Sequence, residues 1–273
     1  MKKYLVIGNP IEHSLSPLIH NFWIKKYGLT DIIYEKMKIE EKDLINIVNK
    51  IKNNEIAGAN VTIPFKKKII SLLDGLDNSA KLTESVNTLV LINKKLIGFN
   101  TDEIGFLKTI ENFSTEKKVS LSKFLNEKKI LILGAGGVTP SIISAFNNNN
   151  VKIYLSNRTK DKANMLKQKF NHIEILDWEK KLPTCDIVIN TTSVGLKEND
   201  NINLNFENYN NDQEKLFYDL IYNPKETNFL KEARLRGNKT INGKMMFLNQ
   251  AAEAFKIWTN ILPEIDNETI GLF

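Results

Sequence analysis

Residues 130–143, ILILGAGGVTPSII, carry readable chemistry: an apolar strand runs into a glycine turn and then into a helix start. Gly134 permits the sharp turn, and Gly136 lets backbone approach a pyrophosphate with no side chain in the way. With Gly137 they form a turn in which the N–H groups of the helix start face phosphates. The third small position of G-x-G-x-x-G falls on Thr139, a departure from the strict motif. Pro140 suits a first helical turn. The competing plain reading is a glycine-rich turn that holds nothing; the strand–turn–helix context favours a nucleotide.

The next strand decides which dinucleotide fits. An NAD site places Asp or Glu at its end, about 20 residues on, against the ribose hydroxyls. Here VKIYLS (151–156) ends in Asn157-Arg158-Thr159, with no acid. Arg158 can lie over the adenine and pair with a 2′-phosphate, and Lys162 adds a second positive charge. A solvated basic turn is the alternative. We read Asn157, Arg158, Thr159 and Lys162 as an NADP site. Thr191, Thr192 and Ser193 follow the strand ending at Asn190, where loops over a cofactor belong in such a sheet.

Local chemistry elsewhere reads more plainly. Lys66 opens the run Lys66-Lys67-Lys68 and reads as a surface lysine. Asp102 reads as the N-cap of a helix through EIGFLKTI, and Ser16 as an N-cap with Pro17 at the first helical position. His13, His20 and His172 have no metal-ligand spacing, so no metal is expected, and they read as structural or exposed. No G-x-S-x-G marks a serine nucleophile. The single cysteine, Cys185, reads as a small buried residue and points to a reducing, cytoplasmic compartment.

The elements that must position these groups alternate. Strands are expected at 3–7, 31–38, 57–63, 129–133, 151–155, 187–190 and 216–220. Thr88–Ile92 and Leu96–Phe99 read as a hairpin around Asn93-Lys94. Helices are expected after Ser16, over 41–52 with Leu44, Ile45, Val48 and Ile51 at helical spacing, and over 139–146, 160–170 and 245–258. Residues 114–128 are polar and read as a linker or an elaborated helix. Strand–helix alternation argues a parallel sheet with helices on both faces.

Composition fits this picture. Hydrophobic residues make up 42%, right for a globular enzyme, and no run of about 18 apolar residues predicts a membrane span. The start reads as a short strand rather than a signal peptide. The net charge of +6 raises the question of nucleic acid, but the lysines are scattered and no binding motif accompanies them. A basic surface also attracts an anionic cofactor and substrate.

Five further segments bring in a resemblance: NPIEHSLSPLIHN (9–21), NVTIPFK (60–66), SVNTL (85–89), GFNTDEIGF (98–106) and NGKMMFLNQAAEAF (242–255). With GAGG, NRT, NTTSVG (190–195) and YDLIYNP (218–224), they resemble the shikimate dehydrogenase family from end to end. No single motif decides; their joint order and spacing do. The resemblance implies NADPH-dependent reduction of 3-dehydroshikimate to shikimate, in the route to chorismate and the aromatic amino acids. It makes Lys66 and Asp102 the catalytic pair, against both local readings. It places Ser14 and Ser16 on the substrate carboxylate, and Thr62, Asn87, Tyr222 and Gln250 around the ring. Gly243 matches a glycine at the nicotinamide end.

The fold class implied is α/β with two domains: an N-terminal α/β substrate domain and a Rossmann-like, doubly wound NADP-binding domain, with the active site in the cleft between them. Residues 1–105, completed by 242–273, form the first, and 106–241 the second. Partners are small molecules, with no nucleic acid and no membrane, and the chain is a monomer or homodimer. Rival readings are an NAD-preferring quinate/shikimate dehydrogenase, a nucleotide-binding regulator that has lost catalysis, and a methyltransferase. The last usually carries an acid after the second strand, which is absent here.

Overall fold

The computed structural model describes residues 1–178, 183–197, 200–202, 204, 206–209 and 215–273. The chain divides into two compact units, Met1–Phe106 with Leu248–Phe273, and Leu107–Phe247. The divisions fall inside the helices Asp102–Glu116 and Lys244–Thr259. The polar stretch 114–128 is the end of the first of these helices followed by a short one, Leu121–Leu125, capped by Ser120.

The first unit is built on strands β1 (Lys2–Gly8), β2 (Ile32–Lys38), β3 (Gly58–Val61), β4 (Gly75–Leu76), β5 (Thr88–Ile92) and β6 (Lys95–Phe99), in the order β2-β1-β3-β5-β6-β4. β1 runs parallel to β2 and β3, but β5 is antiparallel to β3 and β6. The sheet is therefore mixed, with its antiparallel part at the hairpin expected from the sequence. The expected hairpin is the reason: Asn93 and Lys94 adopt φ of 48° and 63°, the positive values that a two-residue turn of matching twist requires. The helix Leu44–Lys52 buries Leu44, Ile47, Val48 and Ile51 in one apolar cluster with Leu5, Ile7, Ala59, Val61 and Phe65. Ile45, placed on that face by its spacing, is instead 48% exposed.

An aromatic cluster closes the other face of this sheet. His20 stacks on Tyr34 at 4.2 Å, with Trp23, Phe255 and Trp258 around it. Trp258 donates its indole N–H to the Leu89 carbonyl at 3.0 Å, tying the C-terminal helix to β5. Both ring nitrogens of His20 are buried without a partner, and burial pushes its pKa down to about 3, so it sits neutral among the rings.

The second unit holds β7 (Lys129–Leu133), β8 (Lys152–Ser156), β9 (Ile173–Leu176), β10 (Ile187–Asn190), β11 (Leu216–Asp219) and β12 (Lys239–Ile241). Its order is β12-β11-β10-β7-β8-β9, and every pair is parallel. This is the Rossmann-like, doubly wound arrangement, with the strand order reversing between β7 and β10. Apart from Lys129, Asn190 and Asp219 at their ends, the central strands are apolar, as burial on both faces demands. Cys185 is fully buried in this core, and burial pushes its thiol up to about 12. Among the described residues, no helix is long and apolar enough to cross a membrane, and no cluster of metal-ligating side chains occurs.

Candidate functional site

Lys66 follows β3 in a turn anchored by buried Phe65, whose N–H donates to the Thr62 carbonyl at 2.9 Å. The Lys66 carbonyl accepts from Val86 N–H, fixing the turn against the start of β5. Lys67 and Lys68 are exposed, but the Lys66 side chain is only 15% exposed. Its Nζ lies 2.6 Å from Asp102 Oδ2, across 36 chain positions. The surface-lysine reading therefore fails for this residue. Asp102 is not the helix cap either: Asn100 Oδ1 accepts from the N–H groups of Asp102 and Glu103, at 3.0 and 3.4 Å. That leaves the Asp102 carboxylate, 7% exposed, for Lys66 on one oxygen and Asn87 Nδ2 on the other, at 3.0 Å. An ammonium held in this way can deliver a proton to an oxygen on which negative charge develops.

The other candidates of the first unit lie on three further segments. Ser16 is the first helical residue, not the N-cap: Leu15 holds that position with helical dihedrals and no side-chain bond. The Ser16 N–H instead reaches Ser14 Oγ at 3.4 Å, and the Ser16 side chain opposes the rise that burial gives the Tyr34 pKa. Tyr34 donates to Asn60 Oδ1 at 2.6 Å, and Asn60 Nδ2 donates to the Asn87 carbonyl and to Thr88 Oγ1, both at 3.0 Å. A continuous chain thus links Tyr34, through Asn60 and Asn87, to Asp102. Thr62 sits at the end of β3, where a Cβ on Gly8 would come within 2.5 Å of its methyl, so glycine makes room for it. Gln250 is half-buried on the helix Lys244–Thr259. Tyr222 belongs to the second unit, where its ring stacks on Phe247 at 4.9 Å and burial raises its pKa.

The glycine turn of the second unit is held from several sides. Gly134 has φ +109°, and a Cβ there would lie 2.6 Å from Thr191 Oγ1. The Ala135 N–H donates to Asn157 Oδ1 at 3.0 Å, and Gly136 N–H to Thr139 Oγ1 at 3.1 Å. Thr139 therefore serves the turn where the strict motif has glycine. Not every N–H of the helix start is open to a phosphate, since Gly136 is bonded within the loop. A Cβ on Gly136 would meet only the Thr191 carbonyl, at 3.9 Å, and one on Gly137 nothing within 4 Å. The open side of the turn fits the close approach of a pyrophosphate. Arg158 and Thr159 are exposed just after β8, and Lys162 is exposed on the helix Lys160–Lys169. Such cations suit a further phosphate. Ser193 is exposed and Thr191 buried. Gly243 has a packing reason of its own: a Cβ would come 2.0 Å from the Leu220 carbonyl oxygen.

Sequence reasoning missed a second network. Asp219, at the end of β11, is fully buried and accepts from Thr227 Oγ1 at 2.6 Å, Asn190 Nδ2 at 3.0 Å and Ile221 N–H at 3.0 Å. Burial raises its pKa, opposed by these donors. Asn190 in turn holds Thr192 and the Val194 carbonyl. The loop over the β10 end is thereby fixed to the start of the helix Asn228–Leu235, which Thr227 caps. The signal was a lone acid closing the apolar strand LFYD.

Comparison with known proteins agrees along the whole chain. The family model of the shikimate dehydrogenase substrate binding domain matches residues 6–89, and that of shikimate / quinate 5-dehydrogenase matches residues 116–230. The shikimate dehydrogenase (NADP(+)) of Pelagibacter ubique is 50% identical over 272 residues, covering 99% of this chain and 98% of the relative. The crystal structure of shikimate dehydrogenase from Aquifex aeolicus superposes with a TM-score of 0.87 at 38% identity, covering 99% of this chain and 97% of that one. That of the Thermus thermophilus enzyme, in complex with NADP(H) and shikimate, gives 0.84 at 30% identity, covering 100% and 97%. With this identity sustained over its full length and both family models matched in order, the chain belongs to the shikimate dehydrogenase family.

Proposed function

We propose that this chain catalyses the reversible, NADPH-dependent reduction of 3-dehydroshikimate to shikimate. The observation that carries the reading is the contact between Lys66 and Asp102, two charges far apart in sequence and largely buried together. Bound NADPH supplies the hydride, which adds to the ketone carbon. Lys66 points its ammonium at the ketone oxygen and gives it a proton as the C–O π pair moves onto oxygen; solvent then reprotonates the lysine. Asp102 fixes the direction of Lys66 and accepts from a ring hydroxyl. Ser14 and Ser16 hold the carboxylate with neutral donors, while Thr62, Tyr222 and Gln250 offer partners to hydroxyls, with Asn87 beside them.

In this reading residues 1–105 and 242–273 bind the substrate, and residues 106–241 bind NADP. Gly134, Gly136 and Gly137 take the pyrophosphate. Asn157, Arg158, Thr159 and Lys162 take the adenosine end with its 2′-phosphate. Thr191, Ser193 and Gly243 line the nicotinamide end. Hydride transfer requires the ring and the nicotinamide, held by different units, to come into contact. We assign a cytoplasmic setting, supported by the single, buried cysteine, and a monomer or homodimer.

The deciding experiment is shikimate-dependent reduction of NADP, run beside quinate and NAD. Turnover with shikimate and NADP well above the other three combinations is expected. Preference for NAD with either acid would favour the quinate/shikimate alternative. Tight NADP binding with no turnover would make the chain a regulator.

A further inference from the structure

β1 ends at Gly8, which lies opposite Lys38 of β2, and Val6 lies opposite Lys36. The chain then leaves the sheet over residues 9–15, before the helix Ser16–Lys26 begins. Side chains two apart on a strand share a face. Lys36 and Lys38 therefore stand on the face of buried Tyr34, where His20 of that helix stacks. Both lysines reach Glu12 in the loop. Lys36 Nζ donates to the Glu12 backbone carbonyl, and Lys38 Nζ lies 3.3 Å from Oε1. The other carboxylate oxygen, Oε2, accepts the Ile11 N–H at 3.0 Å, and the Ile11 carbonyl accepts the Ser14 N–H at 3.0 Å. A bonded path thus runs from the end of β2, through Glu12 and Ile11, to the backbone of Ser14. None of these side chains has a part in the reading above.

We propose that Lys36 is a positioning residue for Ser14, fixing the loop after β1 through the Glu12 carbonyl so that the serine hydroxyl meets the substrate carboxylate. This rests on the reading of Ser14 as a carboxylate contact. A serine side chain is short, with one torsion before its hydroxyl oxygen, so its aim is set by where the backbone lies. Ser14 Oγ accepts the Ser16 N–H at 3.4 Å, which leaves its proton for an acceptor such as a carboxylate. An ammonium donating to a carbonyl makes a charge-assisted bond, stronger than a neutral one, though exposure to water reduces what it contributes. A contact made equally in the ground and transition states acts on KM and leaves kcat alone. The role therefore separates from any part in the chemical step.

Lys36→Met keeps the stem of this exposed side chain and removes the donor. The shikimate KM should rise about fivefold, with kcat and the NADP KM within about twofold of wild type. In a Ser14→Ala background the same change should add less than about 1.5-fold, because no hydroxyl remains to be aimed. An unchanged KM overturns the proposal. So does an equal rise in both backgrounds, which would mean that the ammonium attracts the anion at long range. Amide hydrogen exchange on the substrate-free protein reads the loop without any activity. Residues 10–14 should exchange about fivefold faster in Lys36→Met than in wild type, and residues 60–66 at the same rate. Equal exchange over 10–14 overturns the proposal, and faster exchange in both segments would make Lys36 a general support of the unit and overturn it too. Absence of shikimate turnover in the wild type would instead sink the reading of the activity, while leaving the exchange comparison as predicted.

Discussion

Thr139 Oγ1 and Thr191 Oγ1 lie 2.9 Å apart, although 52 positions separate them in the chain. Thr139 starts the helix after the glycine turn, and Thr191 follows the neighbouring strand β10, so their contact spans the point where strand order reverses. Thr139 also accepts from Gly136 N–H, and Thr191 also donates to the Leu133 carbonyl at 2.9 Å. Thr139→Val keeps the shape and removes the bonds of the Thr139 hydroxyl, each worth about 1 kcal/mol. The dissociation constant for NADP, measured by calorimetry, should rise about tenfold, with shikimate affinity unchanged. An NADP affinity equal to wild type would mean that the turn holds its shape without the hydroxyl.

Lys66→Met replaces the ammonium with an apolar chain of similar length. Loss of a positioned proton donor costs about 10²- to 10⁴-fold in rate. Turnover should collapse to that extent while NADP binding stays nearly intact. Near-normal turnover would remove Lys66 from the mechanism and, with it, the reading of the whole first unit.

The contrast between Lys66 and Lys67 shows what the sequence could and could not disclose. Both sit in one run of lysines, and nothing local separates the buried partner of Asp102 from its exposed neighbour. Only joint motif spacing pointed to Lys66, because its partner comes from a distant helix start. The glycine turn, by contrast, was legible: strand, turn and helix are adjacent in sequence and each has a local signature. β9 and β12 went unread because four and three residues at the sheet edges carry too little pattern. Asp219 escaped for the reason that hid Lys66, since its partners Asn190 and Thr227 lie on different segments.

Arg158 carries the choice of dinucleotide. Its guanidinium is exposed at the end of β8, with no acid nearby in the turn to bind ribose hydroxyls. A hydrogen bond to a charged group is worth about 1.5–3 kcal/mol, or roughly 10- to 100-fold in affinity. Arg158→Ala should weaken NADP by that factor and leave NAD almost unaffected. Equal weakening of both would place the arginine over the adenine alone.

His20 makes stability depend on acid. Its ordinary pKa of 6.5 falls to about 3 in the folded protein because burial disfavours the charged ring. Above 6.5 the ring is neutral in both states and the full stability is present. Below 6.5 the unfolded chain takes up a proton that the folded one refuses, so stability falls toward pH 3, by about 1.4 kcal/mol for each pH unit. His20→Phe keeps an aromatic ring against Tyr34 and removes this titration. Denaturant unfolding from pH 7 to 4 should show a shallower loss for the variant, and parallel curves would refute the assignment.

Two glycines separate the demands of folding from those of a ligand. At Gly243 an added Cβ would lie 2.0 Å from the Leu220 carbonyl oxygen and 2.6 Å from its carbon, and backbone cannot step aside as a side-chain tip can. Gly243→Ala should cost about 2 kcal/mol or more, seen as a lower melting temperature with or without NADP. At Gly137 the same methyl meets nothing within 4 Å, so the apo protein should melt as wild type does. If the space beside that glycine belongs to a pyrophosphate, Gly137→Ala should still weaken NADP markedly, because the methyl occupies the path of approach. A variant that binds NADP normally would show that the phosphates lie elsewhere along the turn.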